Sequence, residues 1–176
     1  TVKQWLNDYT AAKHVLPYPA RYNHTDCTDL STATDCISDT TQCRGRFPEC
    51  ADPVVAHCNP SSPTYDPKLG WGTKVLPPWF TANLWAQTIY YSVGDNQLAA
   101  PTGNCSGNLS MNSYAVRGVV IFAGSPSGTT VRNTPSESTH LADYLDTGNQ
   151  NGWDATPSDT YLTPPAGSRN WFYLLN

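Results

Sequence analysis

The chain has 176 residues, of which 39% are hydrophobic, and this is enough apolar material for the core of one domain. Only 14% of the residues are charged and the net charge is -4. A broad basic surface for phosphates is therefore excluded, and we expect no nucleic-acid partner. Fifteen Pro and twelve Gly indicate many turns and long loops. No run of about 18 apolar residues occurs, so this sequence contains no predicted membrane span.

Residues 1–17 are predicted to form an amphipathic helix that Pro17 ends. Its apolar residues recur at spacings of three and four and form one stripe: Val2, Trp5, Leu6, Tyr9, Ala12 and Leu16. Thr1 is a candidate N-cap, but no turn residue or hydrophobic staple partner precedes it. We therefore expect the natural helix to begin before Thr1.

The chain contains six cysteines: Cys27, Cys36, Cys43, Cys50, Cys58 and Cys105. An even number without a C-x-x-C pair favours disulfides in an oxidising compartment over a zinc site. Fifteen connectivities remain open, and local pairs such as Cys43 with Cys50 are compatible with the spacing. We expect all six to be oxidised, with Cys105 tying a later turn back to the Cys-rich loop region.

Beyond the helix, residues 18–70 are predicted to be a disulfide-pinned loop region and residues 71–176 to contain the sheet. Strands are predicted at residues 88–93, 116–123 and 170–175, where β-branched and aromatic residues are concentrated. The apolar run VRGVVIFA at 116–123 is expected to be a central strand, and HLADYLD is expected to make one or two helical turns. The sequence thus predicts a single α+β domain in which the N-terminal helix packs on an antiparallel sheet of three or more strands.

Alternation along the first predicted strand separates two faces. Ile89, Tyr91 and Val93 share one face and are assigned to the core, whereas Tyr90 lies on the other face and is the better candidate for exposure. The further residues that we expect to be buried in the sheet are Val119, Ile121 and Phe172.

Four segments resemble type IV pilin-like proteins, including the pseudopilins of type II secretion. LPYPA at 16–20 resembles the LPCPA-type end of their long N-terminal helix, with Tyr18 in place of Cys. GWGTKVLPPWFTANLWAQTIYYSV at 70–93 is similar to their GxLPWxxLGLxxxDxWGNxLxYxV segment. VRGVVIFAGSPSG resembles their next strand and turn, and ADYLDTGNQNGWDATPSDTYLTPP resembles the region before their last strand. The residues in corresponding roles in the second segment are Gly72, Leu76, Pro77, Asn83, Trp85, Ile89, Tyr91 and Val93.

The resemblance implies a structural filament subunit, a major or minor pilin, without enzyme chemistry. In this family an apolar upper half of the helix anchors the precursor in the inner membrane and later packs in the filament core. The resemblance thus implies an assembly helix that includes Val2, Trp5, Leu6 and Tyr9, contact with the membrane only through the missing half, and a periplasmic or extracellular filament. The expected partners are other pilin subunits and the inner-membrane assembly machinery. The domain alone is expected to be soluble and largely monomeric.

An alternative is a secreted carbohydrate-binding or adhesin module, because aromatic rings stack on sugar faces. Its candidate residues are Trp71, Trp85, Tyr90 and Tyr91. An enzyme is the third interpretation, supported only by scattered groups: His14, His24, His57, His140, Ser125 and Ser136. Ser125 in AGSPSG does not fit a nucleophile elbow, and a turn after a strand explains it. The sequence therefore predicts no catalytic residues.

An oxygen-rich stretch before the last strand is a minor candidate for a calcium loop. Its proposed ligands are Asp143, Asp146, Asn149 and Asp154. Calcium prefers such carboxylate and carbonyl oxygens, but the EF-hand spacing is absent, and a solvated turn region explains the same residues. The expectation is therefore no cofactor, with calcium as the one candidate.

Overall fold

The protein was analysed as a computed structural model. The residues that it describes are 2–21, 38–52, 54–59, 61–65, 77, 79–80, 83, 85–124, 141–150, 159–164, 166, 168 and 170–176. The helices are α1 (Val2–Lys13), α2 (Val55–Cys58), α3 (Leu141–Tyr144) and α4 (Thr147–Gln150), with 3-10 turns at Trp85–Thr88 and Asp95–Gln97. The strands are β1 (Arg44–Arg46), β2 (Ile89–Val93), β3 (Leu109–Met111), β4 (Tyr114–Val116), β5 (Gly118–Phe122), β6 (Thr160–Tyr161) and β7 (Trp171–Leu175).

Two sheets organise these strands. The larger sheet is antiparallel and has the order β1-β2-β5-β7. In the smaller sheet, of order β4-β3-β6, β3 pairs antiparallel with β4 and parallel with β6. The predicted α+β class is therefore confirmed, as is the central position of β5 between β2 and β7. The strand predicted at 88–93 begins one residue later, because Thr88 closes a 3-10 turn.

The helix α1 ends four residues before the predicted end at Pro17. His14 adopts a left-handed conformation with φ of 62°, and its N–H donates to the carbonyl of Thr10 at 2.8 Å, which closes the last turn. Leu16 is buried as predicted, but it lies in an extended segment whose N–H donates to the Gln97 carbonyl at 2.8 Å. Ala12 is exposed rather than part of the buried stripe.

The loop region predicted at 18–70 contains more regular structure than expected. β1 pairs with β2 through the register Gly45↔Tyr91, and α2 follows a few residues later. The sequence RGR of β1 has neither β-branched nor aromatic residues, so propensity could not have identified it. Pairing with β2 and burial of all three residues produce this strand instead.

The larger sheet has a hydrophobic core on each face. The helix-side core is formed mainly by Val2, Trp5, Leu6, Tyr9, Leu16, Phe47, Phe80, Ile89, Tyr91, Val93 and Val120. The second-sheet core is formed by Tyr90, Leu109, Met111, Val116, Val119, Ile121, Leu141, Tyr144, Leu145 and Tyr161. The prediction that Tyr90 is exposed is wrong: its exposed fraction is 0%, because the smaller sheet and α3 cover this face.

The other core assignments are largely confirmed. Ile89, Tyr91, Val119 and Ile121 each have 0% exposure. Phe172 was predicted to be buried but is only partly so, since β7 is the edge of the larger sheet. It packs against the rim of the second-sheet core.

Candidate functional sites

The helix α1 places the four predicted assembly residues against the protein's own sheet. Val2, Trp5, Leu6 and Tyr9 are all buried. The Trp5 ring meets Phe80 edge-on with 5.6 Å between centroids. Burial, with a smaller contribution from the Asp52 carboxylate, raises the pKa of Tyr9 to about 12. This face of the helix therefore forms part of the helix-side core, and the exposed residues of α1 are the ones available to a neighbour.

The face of α1 opposite the buried stripe carries polar or short side chains. At about 100° per residue, Gln4, Asn7 and Ala11 lie opposite the buried stripe, and all three are exposed. Lys3, Ala12 and Lys13 are exposed as well, on the flanks of the helix and at its last turn. Gln4 Nε2 donates to Asp8 Oδ1 at 2.9 Å, and the Lys3 amine lies 5.2 Å from the centroid of the Tyr173 ring. The short side chain of Ala11 leaves room on this face for another helix to approach.

The structure describes four of the six predicted disulfide cysteines, and all four are paired. Cys43 bonds to Cys105, which confirms that Cys105 ties a later turn back to the Cys-rich region. The local pair of Cys43 with Cys50 is wrong, because Cys50 bonds to Cys58 across a separation of 8 residues. Cys27 and Cys36 lie outside the described residues, so their oxidation stays a prediction.

The candidate calcium ligands that the structure describes are engaged by protein groups. Asp146 accepts a hydrogen bond from the Ser168 hydroxyl. The buried Asn149 accepts one from the Leu162 N–H at 2.9 Å. The side chain of Asp143 and all of Asp154 lie outside the described residues. Within the described ranges, no three His, Cys, Asp or Glu residues are grouped as metal ligands would be.

The four aromatic residues that were candidates for sugar binding are not all at the surface. Tyr90 and Tyr91 are both fully buried, and the Tyr91 hydroxyl donates to the Pro17 carbonyl at 3.0 Å. Burial raises the pKa of Tyr91 well above its usual value. Trp85 is 44% exposed, and Trp71 lies outside the described residues.

Sequence reasoning missed a second exposed ring beside Trp85. Trp79, also 44% exposed, meets Trp85 edge-on with 5.7 Å between centroids. Asn83, which is exposed, donates from Nδ2 to the Trp79 carbonyl at 2.8 Å. The spacing of these residues in PPWFTANLW was the available signal, but nothing in it distinguished exposed from buried rings.

The scattered catalytic candidates are not brought together in the described structure. His14 is exposed at the end of α1. His57 Nδ1 lies 2.7 Å from Asp52 Oδ2, beside the Cys50–Cys58 disulfide. His24, His140, Ser125 and Ser136 lie outside the described residues. An Asp–His contact orients an imidazole, and by itself it assigns no reaction.

A further polar link that the sequence did not predict joins the two sheets. Arg44 Nη2 on β1 donates to the Asn104 carbonyl at 2.8 Å and lies 3.2 Å from Asp159 Oδ1. The second oxygen of Asp159 accepts from the Ser106 N–H at 2.7 Å. The three contacts span 115, 60 and 53 residues of sequence, which explains why no local pattern indicated them. With the Cys43–Cys105 bond beside it, this link fixes the position of the turn at 102–107.

Comparison with models of protein families, with characterised proteins and with solved structures finds no match to this chain. Among the helices that the structure describes, none combines the length and the apolar character needed to cross a membrane. The α+β architecture with antiparallel strands and disulfides therefore stands on the structure itself. The pilin-like identity rests on the sequence resemblance alone.

Proposed function

We propose that this chain is the structural domain of a type IV pilus or pseudopilus-like filament subunit, a major or minor pilin that works by assembly and not by catalysis. The observation that carries the proposal is the two-sided packing of α1, which is buried on the larger sheet along one side and exposed along the other. One face of α1 is buried on the sheet through Val2, Trp5, Leu6 and Tyr9. The opposite face is exposed and bears Gln4, Asn7 and the small residue Ala11.

In this proposal one helix makes two interfaces, one with its own sheet and one with neighbouring subunits. A helix whose lower part is buried on its own sheet keeps a fixed orientation, so an apolar extension ahead of Val2 can pack with copies of itself. The expected partners are other pilin subunits and the inner-membrane assembly machinery. Without that extension the domain is expected to be soluble and largely monomeric. In the cell, it is expected first at the inner membrane and then in a periplasmic or extracellular filament.

The test uses the protein as its natural gene encodes it, tagged and expressed in its own cells. Filaments sheared from the cells are examined by electron microscopy for the tag. A short basic leader followed by about twenty apolar residues should precede Thr1. A gene product that lacks an apolar N-terminal helix, or that is released as a free monomer, would overturn the proposal.

A matched pair of variants separates assembly from folding. Ala11→Glu puts a charged side chain on the exposed face of α1, and Ala142→Glu makes the same change at an exposed site on α3. Both should leave the unfolding midpoint nearly unchanged, because surface substitutions have effects within about 0.5 kcal/mol. Only Ala11→Glu should reduce the yield of filaments. Equal yields from the two variants would show that the exposed face of α1 makes no filament contact.

The rival function is a secreted carbohydrate-binding or adhesin module, and the specific observation that favours it is the exposed Trp79–Trp85 pair. Two half-exposed indoles next to an exposed amide at Asn83 offer ring faces and a hydrogen-bonding group to a sugar. A glycan array probed with the wild type and with Trp85→Ala tests this. Binding that disappears in the variant, from a protein secreted without filaments, would favour the rival.

A further inference from the structure

The edge strand β7 has the sequence WFYLL and contains neither a charged residue nor a proline. It is the last strand of the larger sheet, so its outer side has no neighbour among the strands that the structure describes. Sheet edges are usually protected by lysines, prolines, bulges or short strands, because unpaired backbone groups attract other strands. The described part of this protein shows none of these protections along the five residues of β7.

The direction of the backbone groups on β7 follows from one hydrogen bond. The Leu175 carbonyl accepts from the Arg117 N–H at 2.8 Å, so Leu175 points its backbone groups at the β5 side. In an antiparallel pair, successive residues point these groups alternately toward and away from the partner. The backbone N–H and C=O of Phe172 and Leu174 therefore point out of the sheet. Neither residue makes a hydrogen bond on that side to any residue that the structure describes.

An apolar groove lies beside this edge, between β7 and β4. Its volume is about 550 Å³, and it is lined by Met111, Asn112, Tyr114, Ala115, Val116, Thr163, Pro164, Phe172, Leu174 and Asn176. None of these has a charged side chain at neutral pH. Phe172 and Leu174 also pack against the second-sheet core, so the groove is the open end of that core. Its size is within the range of ligand-binding clefts.

The opposite wall of the groove is also a strand edge. Tyr114 is 77% exposed and follows the two-residue turn Asn112–Ser113, whose φ values of 47° and 69° are those of a tight hairpin. The residues that flank such a turn exchange hydrogen bonds with each other, so Met111 pairs with Tyr114. Ala115, the next residue, therefore points its backbone groups away from β3.

We propose that β7 and this groove form a docking site for an extended segment of a different polypeptide, uncharged and with apolar side chains at alternate positions. A strand added to β7 continues the plane of the larger sheet. Every second side chain of that strand then points to the side on which Phe172 and Leu174 lie, which is into the groove. Main-chain hydrogen bonds supply the affinity and the groove supplies the selectivity for apolar side chains.

Charge favours a foreign segment over a second copy of the same strand. Antiparallel self-pairing centred on Tyr173 would place two Tyr173 rings opposite each other. The Lys3 amine lies 5.2 Å from the centroid of the Tyr173 ring, so this self-pairing would place one ammonium group beside each of the two facing rings, and their like charges would oppose it. The groove, by contrast, has no charged side chain among its lining residues, which suits an uncharged segment.

The test selects peptides from a random nonapeptide phage library on the 176-residue chain and measures the binding of the enriched synthetic peptides by fluorescence. We expect uncharged sequences with alternating apolar residues, and NMR shifts of the Phe172, Leu174 and Ala115 amides. Leu174→Pro removes an outward N–H without removing a bond to β5 and should weaken binding by at least about tenfold, the equivalent of one lost hydrogen bond.

A second variant keeps the test decisive if the proline perturbs folding. Ala115→Lys places a charge on the exposed far wall of the groove, and Ala142→Lys is its control on α3. The first should weaken binding at least about tenfold and the second should not, because only the first charge faces an apolar peptide side chain. Peptides that bind both variants equally, or that shift other amides, would overturn the proposal. A concentration-dependent dimer lost in Leu174→Pro would also overturn it and assign the edge to a second copy.

Discussion

The two edges of the larger sheet differ in how the chain treats them. β1 is three residues long and fully buried, and a bridge between Ala20 and Arg46 closes its outer side, with N–O distances of 3.0 and 2.9 Å. β7 is five residues long, and its Trp171 is 74% exposed. The closed edge carries arginines and the open edge carries apolar residues. Burial of an edge thus depends on which segment covers it and not on the hydrophobicity of the strand itself.

The largest expected effect is at the closed edge, where Gly45 leaves no space for a side chain. A Cβ atom at this position would lie 1.9 Å from the Ala20 carbonyl oxygen. Gly45→Val should therefore separate the covering segment from β1 and cost more than about 4 kcal/mol of unfolding free energy, in the range of severe core disruption. Chemical denaturation measures this, and a loss below about 1 kcal/mol would show that the edge is not closed as described.

Gly107→Ala is the control for this substitution. Its added Cβ would meet only the Asn96 side chain, at 3.7 Å or more. The expected change in unfolding free energy is within about 0.5 kcal/mol, as at ordinary surface positions.

Removal of the disulfide beside β1 should have the next largest effect. Cys43→Ser with Cys105→Ser opens a loop of 62 residues, whereas Cys50→Ser with Cys58→Ser opens one of 8. The chain-entropy relation predicts losses of about 4 and about 2.5 kcal/mol for the two pairs. Thermal unfolding of both double variants checks the order. A larger loss from the shorter loop would contradict it.

The same preparation tests the cysteines that the structure does not describe. Alkylation without reductant, followed by mass spectrometry, should find no free thiol among the six cysteines, including Cys27 and Cys36. Two or more modified cysteines would refute the prediction of complete oxidation.

Truncation of a side chain should cost more at the centre of the larger sheet than at its open edge. Ile121 on β5 is fully buried and faces Phe172 on β7, which is partly exposed. Ile121→Ala should cost about 2–5 kcal/mol, as large-to-small core changes do. Phe172→Ala should cost about 1–2 kcal/mol, because part of its surface is already in water. Equilibrium denaturation of the two variants measures both losses of unfolding free energy. Equal losses would mean that β7 is as well covered as a central strand.

The smallest effect is expected at the exposed ring of the open edge. Trp171→Thr removes an indole that is 74% exposed, and Thr keeps a high strand propensity. The unfolding free energy should change by less than about 0.5 kcal/mol, while the solubility limit in concentrated solution should rise. A drop in stability above about 1 kcal/mol would indicate that Trp171 is covered.

Local sequence patterns located most strands of the larger sheet, but they did not show which segments pack over its faces. β-branched and aromatic residues identified β2, β5 and β7, because strand propensity is a property of neighbouring residues. The same reasoning placed Tyr90 at the surface, since alternation separates two faces without showing what covers each of them. β1 was missed entirely, because RGR becomes a strand only by pairing with β2.

The candidate sites also divide into features that a local pattern predicted and features that it did not. The buried stripe of α1 was predicted from its spacing, and Val2, Trp5, Leu6 and Tyr9 are indeed buried. The Trp79–Trp85 pair, the Arg44–Asp159 link and the groove beside β7 were not predicted. The link and the groove join residues far apart in the chain, and the exposure of the Trp pair depends on what packs around it, so no window of neighbouring residues contains these features.

Local patterns were enough to predict the α+β class, the burial of Val2, Trp5, Leu6 and Tyr9 on α1, and the central place of β5. They also predicted the core positions Ile89, Tyr91 and Val93. These follow from periodicity and propensity, which act over a few residues. The tertiary structure alone decided the burial of Tyr90, the partner of Cys43, the early end of α1 at Lys13 and the contrast between the two sheet edges. Each of these depends on contacts between distant segments, such as the 62 residues that separate Cys43 from Cys105, and their free energy appears only when the chain is folded.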